Sequence, residues 1–162
     1  MHQSGGEVVV DNEKAQALIQ VLKKIIDRVK EGVLIPKAGE QMSINLESVF
    51  SKKDSFTIFF NRKGRINPNR YSILLRYLKD TVLLRLDVDG PPHGNPDGTK
   101  LPCPHFHIWT DGPKNGYAWA YEVPAIFVDT EDHLMTFIQF LQYCNVNNID
   151  SIEIREQKEM GE

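Results

Sequence analysis

Three of the five histidines in this chain, His93, His105 and His107, lie within one short stretch. His105 and His107 are one residue apart on a predicted strand, so their imidazoles project from the same face, with Cα atoms about 6.5 Å apart. Two imidazoles at this spacing can share one metal ion, or they can act as proton donor and acceptor on either side of one phosphate. The stretch therefore predicts a site and leaves both chemistries open.

Two carboxylates repeat this spacing on the preceding predicted strand. Asp87 and Asp89 are also one residue apart, and opposite the histidines they would orient the imidazoles and raise their pKa values, or bind a metal themselves. Asp89 precedes a glycine, a common way to end a strand, so a turn role is the simpler interpretation for it. His93 follows two prolines, which hold its backbone extended. The alternative is a purely structural cluster of polar side chains.

Basic residues are concentrated in one part of the chain, although the net charge is −3. From Lys52 to Arg85 there are nine lysines and arginines against two aspartates. Guanidinium groups bind phosphate well, and an indole can stack on a base. A solvated strand surface and packing of the tryptophan in the core are the alternatives. The candidate phosphate contacts are Arg62, Lys63, Arg65, Arg70, Arg76 and Arg85, of which Arg65 and Arg85 are preferred. The candidates for stacking are Trp109, Tyr117, Trp119 and Tyr121, of which Trp109 is preferred.

Length and composition favour one globular domain in the cytoplasm. A chain of 162 residues with 41% hydrophobic and 25% charged residues is ordinary for a globular protein. No apolar run approaches the ~20 residues that a membrane-spanning helix needs, and the first residues do not resemble a signal peptide. Cys103 and Cys144 form no Cys-x-x-Cys motif, so we expect free thiols in a reducing compartment.

Hydrophobic periodicity predicts two helices that flank a run of strands. The first helix is predicted over residues 12–31, with Lys23 on its solvent-facing side. The second is predicted over residues 130–144, capped by Asp129 or Thr130. Between them, apolar and polar residues alternate as they do in strands. The predicted strands are residues 42–50, 55–62, 71–79, 81–89 and 104–110, with a short edge strand or aromatic lid at 117–121 and a last short strand at 152–154.

These elements predict a single-domain α+β fold. Short connections favour a mostly antiparallel sheet of four to five strands, with the N-terminal and C-terminal helices packed on one face. The domain would cover residues 12–155, between a flexible N-terminus at 1–11 and a frayed tail at 156–162. The opposite face of the sheet would then carry the polar side chains of the candidate site.

Two resemblances accompany this pattern. The runs LRLDVDGPPHGNPDG and LPCPHFHI resemble a family of uncharacterised small proteins of bacteria and their mobile elements, over residues 12 to 149. A shorter pattern, an aspartate and Pro-His followed by Pro-His-x-His, is similar to TumE-like toxins of toxin–antitoxin pairs, which are thought to cleave RNA. This second resemblance implies catalytic roles for Asp87 or Asp89 and for His93, His105 and His107.

Three hypotheses for function follow. The first is a toxin-like endoribonuclease without a metal, in which His105 or His107 acts as base, another histidine acts as acid, Asp87 orients a ring and Arg65 or Arg85 stabilises the phosphate. Its partners would be RNA and an antitoxin or host protein. The second is a hydrolase with a divalent transition metal such as zinc, bound by His93, His105, His107 and Asp87. The third is a binding protein of phage or mobile-element origin without enzymatic activity. None needs a membrane, and each is compatible with a homo-oligomer.

Overall fold

A computed structural model describes residues 10–28, 32–63, 67, 69–109 and 118–157. These residues form two α-helices and a set of mostly antiparallel strands, so the protein has an α+β fold. In chain order the elements are α1 (Asn12–Gln20), β1 (Lys23–Ile25), β2 (Val33–Ile35), β3 (Gln41–Ser48), β4 (Ser55–Asn61), β5 (Tyr71–Tyr77), β6 (Thr81–Val88), β7 (His93–Gly94), β8 (Lys100–Leu101), β9 (His105–Ile108), β10 (Tyr121–Glu122), α2 (His133–Tyr143) and β11 (Ile154–Glu156).

The main sheet has seven antiparallel strands in the order β1-β3-β4-β5-β6-β9-β10. The predicted number of four to five strands is therefore too low. The strands with long alternating patterns, β3 to β6 and β9, agree with the prediction. The edge strand β1 was not predicted and has only three residues, which is too short to produce an alternating pattern in the sequence. At the other edge, the two-residue strand β10 overlaps the end of the short edge strand that was predicted at 117–121. Two small pairings complete the fold, β2 with β11 and β7 with β8.

The core lies between the inward face of the sheet and both helices. Apolar residues of the central strands share one buried cluster with Ala15 and Leu18 of α1 and with Phe137 and Phe140 of α2. The ring of Phe60 in β4 lies 5.7 Å from that of Phe137, measured between centroids. Burial of this apolar surface is the main stabilising contribution, at about 25 cal/mol per Å².

The first helix ends earlier than predicted, at Gln20 rather than at residue 31. The apolar residues beyond it continue the helical spacing, but Ile25 instead lies buried in β1, which pairs with the edge of β3. The hydrogen bonds and packing of the sheet edge outweigh helix propensity here. The second helix also starts later than predicted, because Asp132 caps it by accepting a hydrogen bond from the Met135 N–H at 3.0 Å.

Lys23 is fully buried, which contradicts its predicted place on a solvent-facing helix surface. Its Nζ donates hydrogen bonds to the carbonyls of Ile19 at 2.8 Å, Val21 at 3.0 Å and Cys144 at 2.8 Å. These carbonyls belong to the C-terminal ends of α1 and α2, where the helix dipole favours a cation. Burial lowers the pKa of Lys23 to about 8, so the amine is still mostly protonated at neutral pH and all three N–H donors are matched.

The structure describes only part of the two chain ends, so it tests the predictions about them only in part. The predicted flexible N-terminus and frayed tail fall largely on residues 1–9 and 158–162, outside the described residues. Residue 110 of the fifth predicted strand and residue 117 of the predicted edge segment also lie outside them. Both cysteines are free thiols. Within the described ranges, no helix is long and apolar enough to cross a membrane.

We predict that Lys23→Met destabilises the protein by about 2–4 kcal/mol, because three buried carbonyls lose their hydrogen-bond donors. The matched control is Lys24→Met, because the Lys24 side chain is half exposed and its Nζ lies 3.5 Å from Glu47 Oε1, in an ion pair at the surface. We expect the control to change stability by no more than about 0.5 kcal/mol. Urea unfolding at pH 7 measures both, and equal stabilities for the two variants would contradict a structural role for the buried ammonium.

Candidate functional site

The candidate site is built on the pairing between β6 and β9. In this antiparallel register Asp87 lies opposite His105, and Arg85 lies opposite His107. The alternate residues Leu86 and Phe106 are buried in the core on the other face. Because side chains alternate between the two faces of a strand, the polar residues must project together from the opposite face.

His93 reaches the same place from the loop that follows β6. It lies in β7, which pairs with β8 to form a small hairpin, and its Nε2 is 3.0 Å from the Ala118 carbonyl oxygen. Its ring centroid is 4.8 Å from that of His107 and 6.0 Å from that of His105. Asn95 helps to fix the hairpin, because its Oδ1 accepts a 2.8 Å hydrogen bond from the Ala120 N–H. The three imidazoles are therefore neighbours.

The Asp87 carboxylate is the centre of the cluster. Its Oδ1 accepts a 2.6 Å hydrogen bond from Arg85 Nε, while its Oδ2 lies 3.4 Å from His105 Nε2 and 3.5 Å from His107 Nε2. Burial raises the pKa of Asp87, but hydrogen bonding from His107 and the charge of Arg85 outweigh this effect and lower it to about 2. Asp87 is therefore an anion at all ordinary pH values.

In both His105 and His107, the Nδ1 atom also has a neighbour, on the side of the ring away from Asp87. His107 Nδ1 is 3.0 Å from the Trp119 carbonyl oxygen, an arrangement in which Nδ1 carries the proton and donates it. His105 interacts with the Pro102 carbonyl, and its Nδ1 lies 3.6 Å from Cys103 Sγ. Both rings are almost fully buried, with 3% and 6% of the surface of His105 and His107 exposed. Burial lowers the pKa of His105, which favours a neutral ring.

Asp87, His105 and His107 together form a possible metal-binding set. Each offers one ligand atom, and these atoms all lie within 4.8 Å of one another. Two ligands bound at about 2.1 Å in a tetrahedron are about 3.4 Å apart, close to the separations between Asp87 Oδ2 and the two Nε2 atoms. The carbonyl that accepts from His107 Nδ1 is the kind of second partner that usually orients a metal-binding imidazole.

The cluster opens onto a cavity of about 280 Å³. Two guanidinium groups, those of Arg70 and Arg85, reach this cavity together with the three imidazoles. The described residues that line it are Arg70, Tyr71, Arg85, Asp87, Val88, Gly90, Pro91, Pro92, His93, Cys103, His105 and His107.

Two further predicted site residues, Trp109 and Asp89, are not among the described residues that line this cavity. Trp109 donates a 3.1 Å hydrogen bond from Nε1 to the Val10 carbonyl and packs against the core, and it is not among the described residues that line the cavity. Asp89 is exposed, has a left-handed backbone with φ of 61°, and accepts a hydrogen bond from Asn67, which agrees with a turn role. Arg65 lies outside the described residues.

Sequence reasoning missed the backbone carbonyls of Ala118 and Trp119, which orient His93 and His107. These two residues lie in the segment 117–121, where the sequence predicts an edge strand or an aromatic lid but gives no role to its carbonyl groups. Carbonyl groups are present at every residue, so only the three-dimensional path of the chain identifies the ones that orient an imidazole.

The fold and the cluster define an α+β protein with a histidine–carboxylate site on the polar face of its sheet. The chain belongs to a family of unknown function, DUF6978, which matches residues 10–146. Neither a curated protein nor a solved structure matches the chain. These comparisons confirm the predicted membership of a family without an assigned function, and they give no support to the resemblance to TumE-like toxins.

We predict that Asp87→Asn destabilises the protein by about 1–3 kcal/mol at pH 7, because Arg85 and the two imidazoles lose a charged acceptor. The pKa of Asp87 is lowered from 3.8 to about 2, so its stabilising effect is complete above pH 4 and is lost as the pH falls towards 2. The difference between the wild type and the variant should therefore narrow below pH 4.

Urea unfolding at several pH values, with a chelator present to remove the contribution of bound metal, measures this difference. Asp80→Asn is the matched control, because Asp80 is exposed in the turn between β5 and β6. We expect its effect to stay within about 0.5 kcal/mol at every pH. A difference for Asp87→Asn that is absent at pH 7 would contradict the stabilising role of the carboxylate.

Proposed function

We propose that Asp87, His105 and His107 bind a divalent transition metal such as zinc, and that the protein is a metal-dependent hydrolase. One observation carries this proposal. The Asp87 Oδ2 and the Nε2 atoms of both imidazoles face one another at 3.4 and 3.5 Å, in a set whose ligand atoms all lie within 4.8 Å.

A metal ion between the Asp87 carboxylate and the two imidazole nitrogens would be bound by all three groups. His107 Nδ1 donates to a carbonyl, and its Nε2 faces the carboxylate, so Nε2 is the nitrogen that would bind the metal ion. A charge-assisted hydrogen bond would draw the N and O atoms to about 2.7–2.9 Å. The observed separations are longer and fit two ligands of one metal ion better.

The set of two imidazoles and one carboxylate suits catalysis. Catalytic zinc sites usually have three protein ligands and leave the fourth position to water, whose pKa falls to about 7 on binding. Here the cavity adjoins the cluster and would give a substrate access to that position. Arg85 holds the carboxylate through Oδ1 and leaves Oδ2 directed at the imidazoles. The same ligand set also binds iron(II), so elemental analysis is needed to identify the metal.

Elemental analysis of protein purified without a metal-affinity column tests the proposal. We expect about one equivalent of a divalent transition metal per chain, and a cobalt(II)-substituted sample should show the strong visible absorption of a tetrahedral site. Asp87→Asn keeps the side-chain shape, and we expect it to weaken metal binding by about 100-fold or more. His133→Asn, in α2, should leave metal content unchanged.

Substoichiometric metal in the purified protein, combined with no cobalt(II) binding at micromolar concentration, would reject a metal centre. Retention of full metal content by Asp87→Asn would show that any bound ion lies elsewhere. Circular dichroism of each variant separates loss of a ligand from loss of the fold.

A second candidate is the ribonuclease without a metal, because a third imidazole also borders the cavity. His93 lies 4.8 Å from His107 between ring centroids, so the two imidazoles are adjacent and both border the cavity that a phosphate would enter. In this mechanism one ring takes the proton of the ribose 2′-hydroxyl, and another donates a proton to the leaving oxygen. Asp87 would orient the ring that it faces.

Cleavage of a labelled RNA in the presence of excess EDTA tests this second candidate. We expect a 2′,3′-cyclic phosphate product if the imidazoles act alone, and a loss of at least about 100-fold in rate for His93→Ala. His133→Asn provides a matched control outside the cavity lining. Cleavage that stops with EDTA and returns with added metal would instead favour the metal-dependent hydrolase.

A further inference from the structure

We infer that Arg70 binds a phosphate group, so that the substrate of this cavity is a phosphate ester. The inference rests on the proposed hydrolase site and adds the class of its substrate. It depends on three observations about the position, the charge and the surroundings of the Arg70 side chain.

Strand pairing brings Arg70 to the cavity, although it is far from the histidines in sequence. Arg70 immediately precedes β5, and the first residue of that strand, Tyr71, pairs with Val88 at the end of β6. Gly90 follows β6 directly and borders the same cavity as Arg70 and the imidazoles. The start of β5 and the end of β6 therefore place a guanidinium group at the wall of the site.

The charge of Arg70 is not compensated within the described part of the chain. Arg85 is paired with Asp87 at 2.6 Å, whereas the guanidinium group of Arg70 has neither a hydrogen bond nor an ion pair with any described residue. Among the described residues that line the cavity there are thus two guanidinium groups and one carboxylate, while the Asp89 carboxylate lies outside the lining, next to Gly90. A ligand that enters it should be an anion, and the planar guanidinium fork suits two phosphate oxygens.

Gly90 allows the guanidinium group to lie flat against the backbone. A Cβ atom at this position would lie 3.2 Å from Arg70 Nε and 3.5 Å from both Cζ and Nη2. Even alanine would therefore press on the guanidinium group and shift it by a few tenths of an ångström. The absence of a side chain at Gly90 thus leaves room for the Arg70 guanidinium group in its position beside the cavity.

Calorimetric titration with inorganic phosphate tests the inference on the full-length protein. Arg70→Gln should weaken phosphate binding about 10- to 100-fold, as expected for the loss of charge-assisted hydrogen bonds. The matched control is Arg28→Gln, because Arg28 is an exposed arginine that follows β1, at the opposite edge of the sheet. We expect wild-type affinity for this control.

A second pair of variants tests the contact with Gly90. Gly90→Ala should weaken phosphate binding about 2- to 10-fold by displacing the guanidinium group. Gly94→Ala is its control, because a Cβ atom at Gly94 would meet no atom within 4 Å. Equal affinities for these two variants would contradict the proposed position of Arg70.

Running the titrations before and after removal of metal with a chelator separates this inference from the proposed metal centre. An effect of Arg70→Gln that persists without metal supports phosphate binding by Arg70 even if the protein proves to contain no metal ion. Undetectable phosphate binding by the wild type at millimolar concentration would overturn the inference. So would equal binding by the wild type and Arg70→Gln, whatever the metal content of the two proteins.

Discussion

The site depends on the register between two neighbouring strands. With Asp87 opposite His105 and Arg85 opposite His107, one carboxylate lies beside two imidazoles and a guanidinium group. A slip of β9 by one residue would direct His105 and His107 into the apolar core and would expose Phe106. The hydrophobic pattern that buries Leu86 and Phe106 therefore also fixes the geometry of the polar cluster. Packing of the core and assembly of the site are two results of one strand alignment.

The polar face also shows how a buried anion is tolerated away from water. Desolvation of Asp87 opposes its ionisation, but Arg85 and His107 lower its pKa to about 2. The imidazoles are in turn oriented by groups outside the sheet, since His107 contacts the Trp119 carbonyl and His93 contacts the Ala118 carbonyl. Lys23 follows the same rule in the fold, because it is buried only where three carbonyls accept its protons. In both places the charge is compensated by one or two partners that are near in sequence together with one that is distant, His107 for Asp87 and Cys144 for Lys23.

The sequence was sufficient for features that extend over several alternating residues. Alternation located β3 to β6 and β9, and the His-x-His spacing placed both imidazoles on one face. It was insufficient where a pattern is short or where two structures share it. The apolar residues after Gln20 fit a helix as well as a strand, and only the free edge of β3, which pairs with Lys23–Ile25, decides between them. The short edge strand predicted at 117–121 overlaps β10 only at its last residue, Tyr121. The orienting carbonyls and the contact of Arg70 with Gly90 depend on the path of the chain, which local sequence does not encode.

The separations within the cluster bear directly on the kind of cation that it suits. A proton shared between a carboxylate and an imidazole draws the two heavy atoms below 3 Å, because the bond is short and directional. A metal ion holds its ligands apart, since each of them must contact a larger sphere. Asp87 Oδ2 lies 3.4 and 3.5 Å from two imidazole nitrogens, and a single proton cannot bridge to both of them. The cluster thus brings one carboxylate and two imidazole nitrogens together at separations longer than those of charge-assisted hydrogen bonds, beside a cavity that Arg70 also lines.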